Sequence, residues 1–249
     1  MKFIAIIPAR YGSTRFEGKP LADICGRPML WWVYHQVKKV TAISEVYVAT
    51  DDCRISKVCE QYGMNYIMTS DRHPNHISRV HEVSENIAAD LYICVNGDEP
   101  LIESEVINSI LPDESEAIDK RQVFGLMRDL TDPAETIDFA NIKIVTNQLG
   151  EALYMSRNPI PYPKGSLFFK YKKYVGVEGF TKEALDFFVE APQSELEKIE
   201  DIDHLRFLDN GIRIRFKKVE SHSLSVDTPK DLEKVRAIFN TMEERKSAV

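Results

Sequence analysis

Ile4-Ala5-Ile6-Ile7-Pro8-Ala9-Arg10-Tyr11-Gly12-Ser13-Thr14-Arg15-Phe16-Glu17-Gly18-Lys19-Pro20 is the stretch on which the reading of the chain turns. The apolar run Phe3 to Ile7 has the length and β-branched content of a buried strand. It stops at Pro8, which has no N–H to give a sheet ladder. The loop that follows sets Arg10, Arg15 and Lys19 among Gly12, Ser13, Thr14 and Gly18. Glycines let backbone come close to a ligand, and clustered cations with exposed N–H groups suit a polyphosphate. Open α/β sheets bind ligands at this place, beyond the carboxyl end of a strand. The loop matches neither GxxxxGK[ST] nor GxGxxG, and on charge alone a solvated basic loop reads the same way.

Outward from this stretch, strand-like and helix-like segments alternate. Met29–Val40 reads as a helix with Pro28 at its mouth, Glu45–Ala49 as a strand, and Asp52–Tyr62 as a helix ended by Gly63. Asn65–Met68 is a short strand, Arg79–Ala88 a helix and Leu91–Val95 a buried strand. Such alternation argues for an α/β fold, a mostly parallel sheet with helices on both faces. The second half changes character. Gln122–Asp129, Ile142–Thr146, Ala152–Met155 and Lys172–Phe180 read as strands. Thr181–Val189 and the acidic run Ser194–Asp209 read as helices, Ile212–Val219 as an edge strand, and Asp227–Met242 as a closing helix. No linker or repeat divides the chain, so the expectation is one domain over 1–249 with an extended, β-rich subregion near 150–200.

With 249 residues, 43% hydrophobic and 29% charged, the chain can build one sizeable core. A net charge of −7 argues against nucleic acid, whose partners usually present a basic face, but leaves room for small anions beside clustered cations. No apolar run approaches the roughly 18 residues of a membrane span, and the N-terminus lacks the layout of a signal peptide. Cys25, Cys53, Cys59 and Cys94 have no CxxC spacing, which points to reduced thiols in a cytoplasmic protein and to no zinc site.

Two aspartates stand out. Asn96-Gly97-Asp98-Glu99-Pro100 follows a buried strand directly, where a carboxylate is costly unless paired or bound to a cation. Opposite a phosphate loop that cation would be Mg²⁺, which takes oxygen ligands and substrate phosphates. A turn aspartate capping the next helix is the plainer alternative. Asp227-Thr228-Pro229 reads locally as an ordinary N-cap. Ala152 to Tyr162, ALYMSRNPIPY, is a strand entering a proline-stiffened loop that presents Arg157, whose fork suits a carboxylate.

Together these segments resemble a known family. PARYGSTRFEGKP from Pro8, VATDD at 48–52, MTS at 68–70, NGDEP at 96–100, ALYMSRNPIPY at 152–162 and SVDTPKDLE at 225–233 are similar, in order, to the signatures of the 3-deoxy-manno-octulosonate cytidylyltransferases, the CMP-Kdo synthetase family. The resemblance spans Pro8 to Leu232. It implies a Rossmann-like nucleotide-diphospho-sugar transferase fold with a mostly parallel mixed sheet, and a homodimer formed through the 150–200 subregion. It implies that Arg10 and Lys19 hold the phosphates of CTP, and that Pro8, Ala9, Ser13, Arg15, Thr50, Asp51, Ser70, Arg79, Asn96 and Gly97 surround the nucleotide. Asp98 and Asp227 would bind Mg²⁺, Arg157 would hold the acid end of the acceptor, and Arg10, Lys19 and Asp98 would carry catalysis.

Departures from the family pattern gather at the acceptor end. SGTDR is Asn75-His76-Ile77-Ser78-Arg79 here, KHIGIYAY is KYVGVEGF at 173–180, and LEQLR is Ile202-Asp203-His204-Leu205-Arg206. Asn75, His76, Tyr174, Glu178, Asp203 and His204 are therefore the expected acceptor residues, with His73 nearby. The expected reaction is Mg²⁺-dependent transfer of CMP from CTP to an anionic acceptor, a 2-keto-3-deoxy acid sugar (Kdo or a modified relative), with release of pyrophosphate. A phosphonate acceptor and a non-catalytic nucleotide-binding paralogue are the alternatives. A hydrogen-bonding site rejects analogues that leave its groups unpaired, so unmodified Kdo is expected to turn over poorly.

Overall fold

The computed structural model describes residues 1–12, 15–113, 117–166 and 168–247, with side chains as far as 242. Ser13, expected at the nucleotide, lies outside the described residues. The chain runs β1 (Phe3–Pro8), a short ribbon of β2 (Asp23–Ile24) and β3 (Arg27–Pro28), then α1 (Met29–Lys38), β4 (Ile43–Thr50), α2 (Cys53–Tyr62) and β5 (Tyr66–Met68). There follow α3 (His76–Asn86), β6 (Leu91–Val95), α4 (Ser104–Asn108), β7 (Val123–Asp129), α5 (Pro133–Ile137), β8 (Lys143–Thr146) and β9 (Ala152–Ser156). The last elements are β10 (Lys172–Phe180), α6 (Lys182–Glu190), α7 (Glu195–Glu200), α8 (Leu205–Asp209), β11 (Ile214–Lys218) and α9 (Pro229–Ser247).

Nine strands of the described residues share one sheet, in the order β11-β7-β10-β6-β1-β4-β5, with the β8–β9 hairpin paired to β10. Neighbours along this path are parallel except at β10, which is antiparallel to both β6 and β7. Strands covered on both faces read as continuous apolar runs, and β6, LYICV, is buried throughout. Successive side chains of β1 separate onto the two faces. Ala5 and Ile7 pack with Leu30, Val33 and Val37 of α1; Ile4 and Ile6 pack with Val80 and Val83 of α3 and Leu185 and Phe188 of α6. All of these side chains are 1% exposed or less, so the centre of the sheet is a dry platform for the loops at its carboxyl edge. Among the described residues no helix is long and apolar enough to cross a membrane.

α4 and α5 were not expected, and two of the expected helices differ from the sequence reading. α3 starts at His76, three residues before the expected Arg79, because Asn75 is its N-cap: Asn75 Oδ1 accepts from the Ser78 N–H at 2.9 Å. The acidic run expected as one helix over Ser194–Asp209 is two. α7 opens on a capping box between Ser194 and Glu197 and ends at Asp201, in the left-handed region with φ 52°. α8 then begins at Leu205. The break is held by the buried Arg206, which donates to both oxygens of Glu197 at 2.7 and 2.6 Å and to the Phe188 carbonyl at 2.7 Å. Its guanidinium also lies 3.9 Å from the Phe188 ring centroid.

Removing one partner of a buried ion pair leaves the other charge unpaired. Arg206→Met is expected to cost about 3–5 kcal/mol and to lower the thermal midpoint by roughly 10 °C in a chain of this size. Calorimetry checks this, and an unchanged midpoint would show that the pair contributes nothing.

Candidate active site

The loops at the carboxyl edge enclose a cleft of about 400 Å³. One wall is built by the end of β1 and the loop after it: Pro8, Ala9, Arg10, Arg15 and Lys19. The floor is Asn96, Gly97 and Asp98, beyond β6, with Asp227 from the segment before α9. The far wall is His73, Asn75 and His76 at the start of α3, Arg79 one turn on, and Asp201 and Asp203 from the break between α7 and α8.

Backbone hydrogen bonds place the floor. The Asn96 N–H donates to the Gly176 carbonyl of β10 at 2.8 Å, and the Val226 N–H donates to the Asp98 carbonyl at 2.8 Å. The second bond brings Asp227 beside Asp98. The buried Glu99 ties the same corner, accepting from the Gly176 N–H at 3.1 Å and the Ser225 hydroxyl at 3.3 Å. Gly176 is required there: a Cβ would lie 2.5 Å from Glu99 Oε1 and 2.7 Å from Asn96 Nδ2. Burial, with Asp98 next to it, pushes the Glu99 carboxyl above its ordinary value.

Lys19 Nζ sits 2.7 Å from Asp98 Oδ2 and 3.5 Å from Asp227 Oδ1, and Arg15 lies 3.1 Å from the same Asp227 oxygen. Two carboxylates thus already share one cation. Oxygen donors spaced in this way fit a hard divalent ion that completes its shell with phosphate oxygens and water. Among the described residues no cluster of three or more His, Cys, Asp or Glu could hold a metal by itself.

The remaining expected residues fall into two groups. Arg79 is buried at the wall, bonded to the Thr69 hydroxyl and 3.4 Å from Asp51. Asp51, Thr50 and Ser70 stand behind the lining: Thr50 Oγ1 accepts from the Asp52 N–H, and Ser70 bonds Glu82 and Arg72 through its N–H and hydroxyl. Arg157 departs from expectation. Its guanidinium donates to the carbonyls of Glu200 at 2.6 Å, Phe139 at 3.1 Å and Asp201 at 2.7 Å, and it does not line the cleft. Fully engaged in this way, it secures the left-handed turn at Asp201 and has no fork left for an acceptor carboxylate. Asp201, which that turn delivers to the cleft, carried no signal in its acidic run.

Tyr174, Glu178 and His204 also lie behind the wall, as a buried network. Glu178, 1% exposed, accepts from the Tyr174 hydroxyl, from His76 Nε2 at 3.0 Å, and faces His204 Nε2 at 3.1 Å. His76 Nδ1 faces Asp203 at 3.6 Å, and Asn75 Nδ2 donates to Asp203 at 3.3 Å. Burial works against the Glu178 charge, but His204 and His76 outweigh it and hold the carboxyl far below its usual range. Burial also opposes the proton of His76, yet Glu178 and Asp203 raise it to about 9.

A basic loop facing paired aspartates beyond the carboxyl edge of a mostly parallel sheet is a site suited to a phosphate-bearing ligand. The comparisons with known proteins place it more narrowly. Residues 4–214 match the model of the cytidylyltransferase family. The 3-deoxy-manno-octulosonate cytidylyltransferase of Escherichia coli is 38% identical over 238 residues, covering 96% of each chain. That of Trichlorobacter lovleyi is 40% identical over 248 residues, covering 95% of this chain and 98% of the relative. A solved CMP:2-keto-3-deoxy-manno-octonic acid synthetase complexed with CTP superposes with a TM-score of 0.90 at 37% identity, over 97% of this chain and 100% of that one. A cytidylyltransferase from Leptospira borgpetersenii, 16% identical with a TM-score of 0.60 over 95% of this chain and 86% of that one, shares the fold alone. The chain belongs to the cytidylyltransferase family and is a nucleotidyltransferase.

The shifts of His76 and Glu178 set a pH dependence of stability. A raised histidine stabilises fully below its ordinary value of 6.5, and the contribution is lost as pH climbs to about 9. The lowered Glu178 contributes above its ordinary value of 4.5 and loses that contribution as pH falls. The thermal midpoint is therefore expected to decline between pH 6.5 and 9, and to decline less in His76→Gln. Melts across that range decide it; parallel curves for the two proteins would remove His76 as the cause.

Proposed function

We propose that the chain moves CMP from CTP to a 2-keto-3-deoxy acid sugar of the Kdo class, in a Mg²⁺-dependent reaction that releases pyrophosphate. The observation that carries this reading is the convergence of Asp98 and Asp227 on one cation, directly opposite the basic loop after β1. The named activity of the relatives supports the acceptor class.

An oxygen of the acceptor attacks the α-phosphorus of CTP, the bond to the β-phosphate oxygen breaks, and pyrophosphate leaves. Such a transfer asks the protein mainly for positioning and for charge where it develops. Arg10, Arg15 and Lys19 line the wall where the phosphates would lie, and their charges offset those on the departing pyrophosphate. Lys19 has two partners to choose between. Without nucleotide it rests on the aspartates; a triphosphate would draw it away and leave both carboxylates to the metal. Asp98 and Asp227 would hold Mg²⁺, which supplies Lewis-acid polarisation of phosphate oxygens when bound. The loop after β1, the start of α3 and the segment between α7 and α8 line one cleft, so residues 1–249 are read as one cytidylyltransferase domain. The acidic far wall, with Asp201 and Asp203, suits the hydroxyls of a sugar acid better than a doubly charged phosphonate. Because Tyr174, Glu178 and His204 stand behind that wall, fewer direct contacts are altered than the sequence departures suggest, and Kdo is kept as the test acceptor.

The protein acts as a homodimer in this reading. Leu153 on β9 and Tyr162, Phe168 and Phe169 on the loop after it are exposed apolar side chains on the 150–200 subregion, an unfavourable surface for a lone subunit. Light scattering at micromolar concentration is expected to give twice the mass of one chain, and a monomer would refute the assembly.

Pyrophosphate release with CTP, Mg²⁺ and Kdo tests the function. Asp98→Ala and Asp227→Ala are each expected to reduce it by about three orders of magnitude with an unchanged circular dichroism spectrum. Full activity in either variant would remove that aspartate from the mechanism.

A further inference from the structure

Glu178 lies in the middle of β10, within the sheet, and an ionised carboxylate there is strongly unfavourable without partners. Its partners come from three elements that the sequence keeps far apart. Tyr174 is on the same strand, His76 opens α3, and His204 stands immediately before α8. These four residues, 76, 174, 178 and 204, all depart from the family signature, and in space they are one unit. A glutamate at 178 requires the two histidines, and the histidines require the glutamate.

Of Glu178's partners only His76 lines the cleft. Its ring has a carboxylate at each nitrogen: Glu178 at Nε2 and Asp203 at Nδ1. Glu178 is hydrogen-bonded to Nε2 and Asp203 lies 3.6 Å from Nδ1, so the two carboxylates together favour a proton on the ring. The groups facing it are Glu178 and Tyr174 from β10 and Asp203 and His204 from the segment before α8, with Asp98 acting from beyond β6. The carboxylates among them outnumber any other charged group facing the ring. Without the imidazolium, an anionic acceptor would meet Asp203, Asp201 and the buried Glu178 as uncompensated negative charge.

We propose that Glu178 is a positioning residue for acceptor recognition: it seats His76 at the cleft wall, where the imidazolium cancels Asp203 and admits an anionic sugar acid. Asp203 keeps lone pairs for the hydroxyls of that acceptor. The proposal rests on the sugar-acid acceptor inferred above, and its test separates the two. Glu178→Gln keeps the shape and removes the charge. With CTP and Kdo as probes, the KM for Kdo is expected to rise about tenfold while that for CTP changes by less than roughly twofold. In a His76→Gln background the same change at 178 adds nothing, because its effect passes through that ring. The imidazole protons of His76, followed by NMR without ligands, are expected to titrate near 9 in the wild type. In Glu178→Gln they titrate about one unit or more lower.

If Glu178→Gln does not fold, His204→Gln, which leaves Glu178 two partners, is measured instead and should show the same split with a smaller rise. Equal losses for CTP and Kdo, additive effects of the 76 and 178 variants, or a wild-type His76 that titrates near 6.5 would each overturn the proposal. A wild type that releases no pyrophosphate with Kdo would defeat the acceptor class, while the NMR titration still decides the seating of His76.

Discussion

The Lys19 ammonium lies 2.7 Å from Asp98 and 3.5 Å from Asp227, although 79 and 208 residues of chain separate it from them. The cleft depends on this meeting. Two carboxylates so close repel unless a cation stands between them, and everything around them serves to bring that cation in. β1 ends at Pro8 so that the loop can turn back over the floor. β6 ends at Val95 so that Asp98 rises from a rigid strand. The Val226 N–H pairs with the Asp98 carbonyl so that the chain before α9 passes within reach. Remove the shared charge and these three pieces have no common purpose.

The same constraint recurs at the far wall in a different form. Glu178 is buried on β10 between β6 and β7, and two imidazoles and a phenol lie against its carboxylate. The fold is bent to supply them. Asn75 caps α3 early enough to put His76 on its first turn. Arg206 and Arg157 hold the break between α7 and α8 that carries Asp203 to the cleft and His204 behind its wall. One end of the site therefore neutralises paired aspartates with a lysine and an arginine. The other end neutralises its carboxylates with packed histidines, which stay where they are.

Much of this was legible in the residues. Continuous apolar runs such as Phe3–Ile7 and Leu91–Val95 can only be strands covered on both faces, and both are. The loop cations and Asp98 could be assigned to one ligand because each directly follows such a strand. The mistaken readings share a cause. α3, expected from Arg79, starts at His76 under the Asn75 cap, and Ser194–Asp209 has no proline or glycine to announce its break. Arg157 was read by its chemistry, a fork seeking a carboxylate, whereas three backbone carbonyls satisfy that fork. A helix broken by a distant arginine leaves no local trace, because the interaction that breaks it is long-range.

The amino-acid sequence by itself determined most strands and longer helices, the α/β class with a parallel sheet and a basic loop suited to phosphates, since these follow from periodicity, strand ends and charges adjacent in the chain. The mixed sheet and the nucleotide were implied by the family resemblance. Only the tertiary structure decided which charges neutralise one another. It placed Lys19 between two aspartates, withdrew Arg157 from the cleft, and joined His76, Tyr174, Glu178 and His204 into one network. Pairings of that kind are settled by distance and desolvation, and both exist only once the chain has folded.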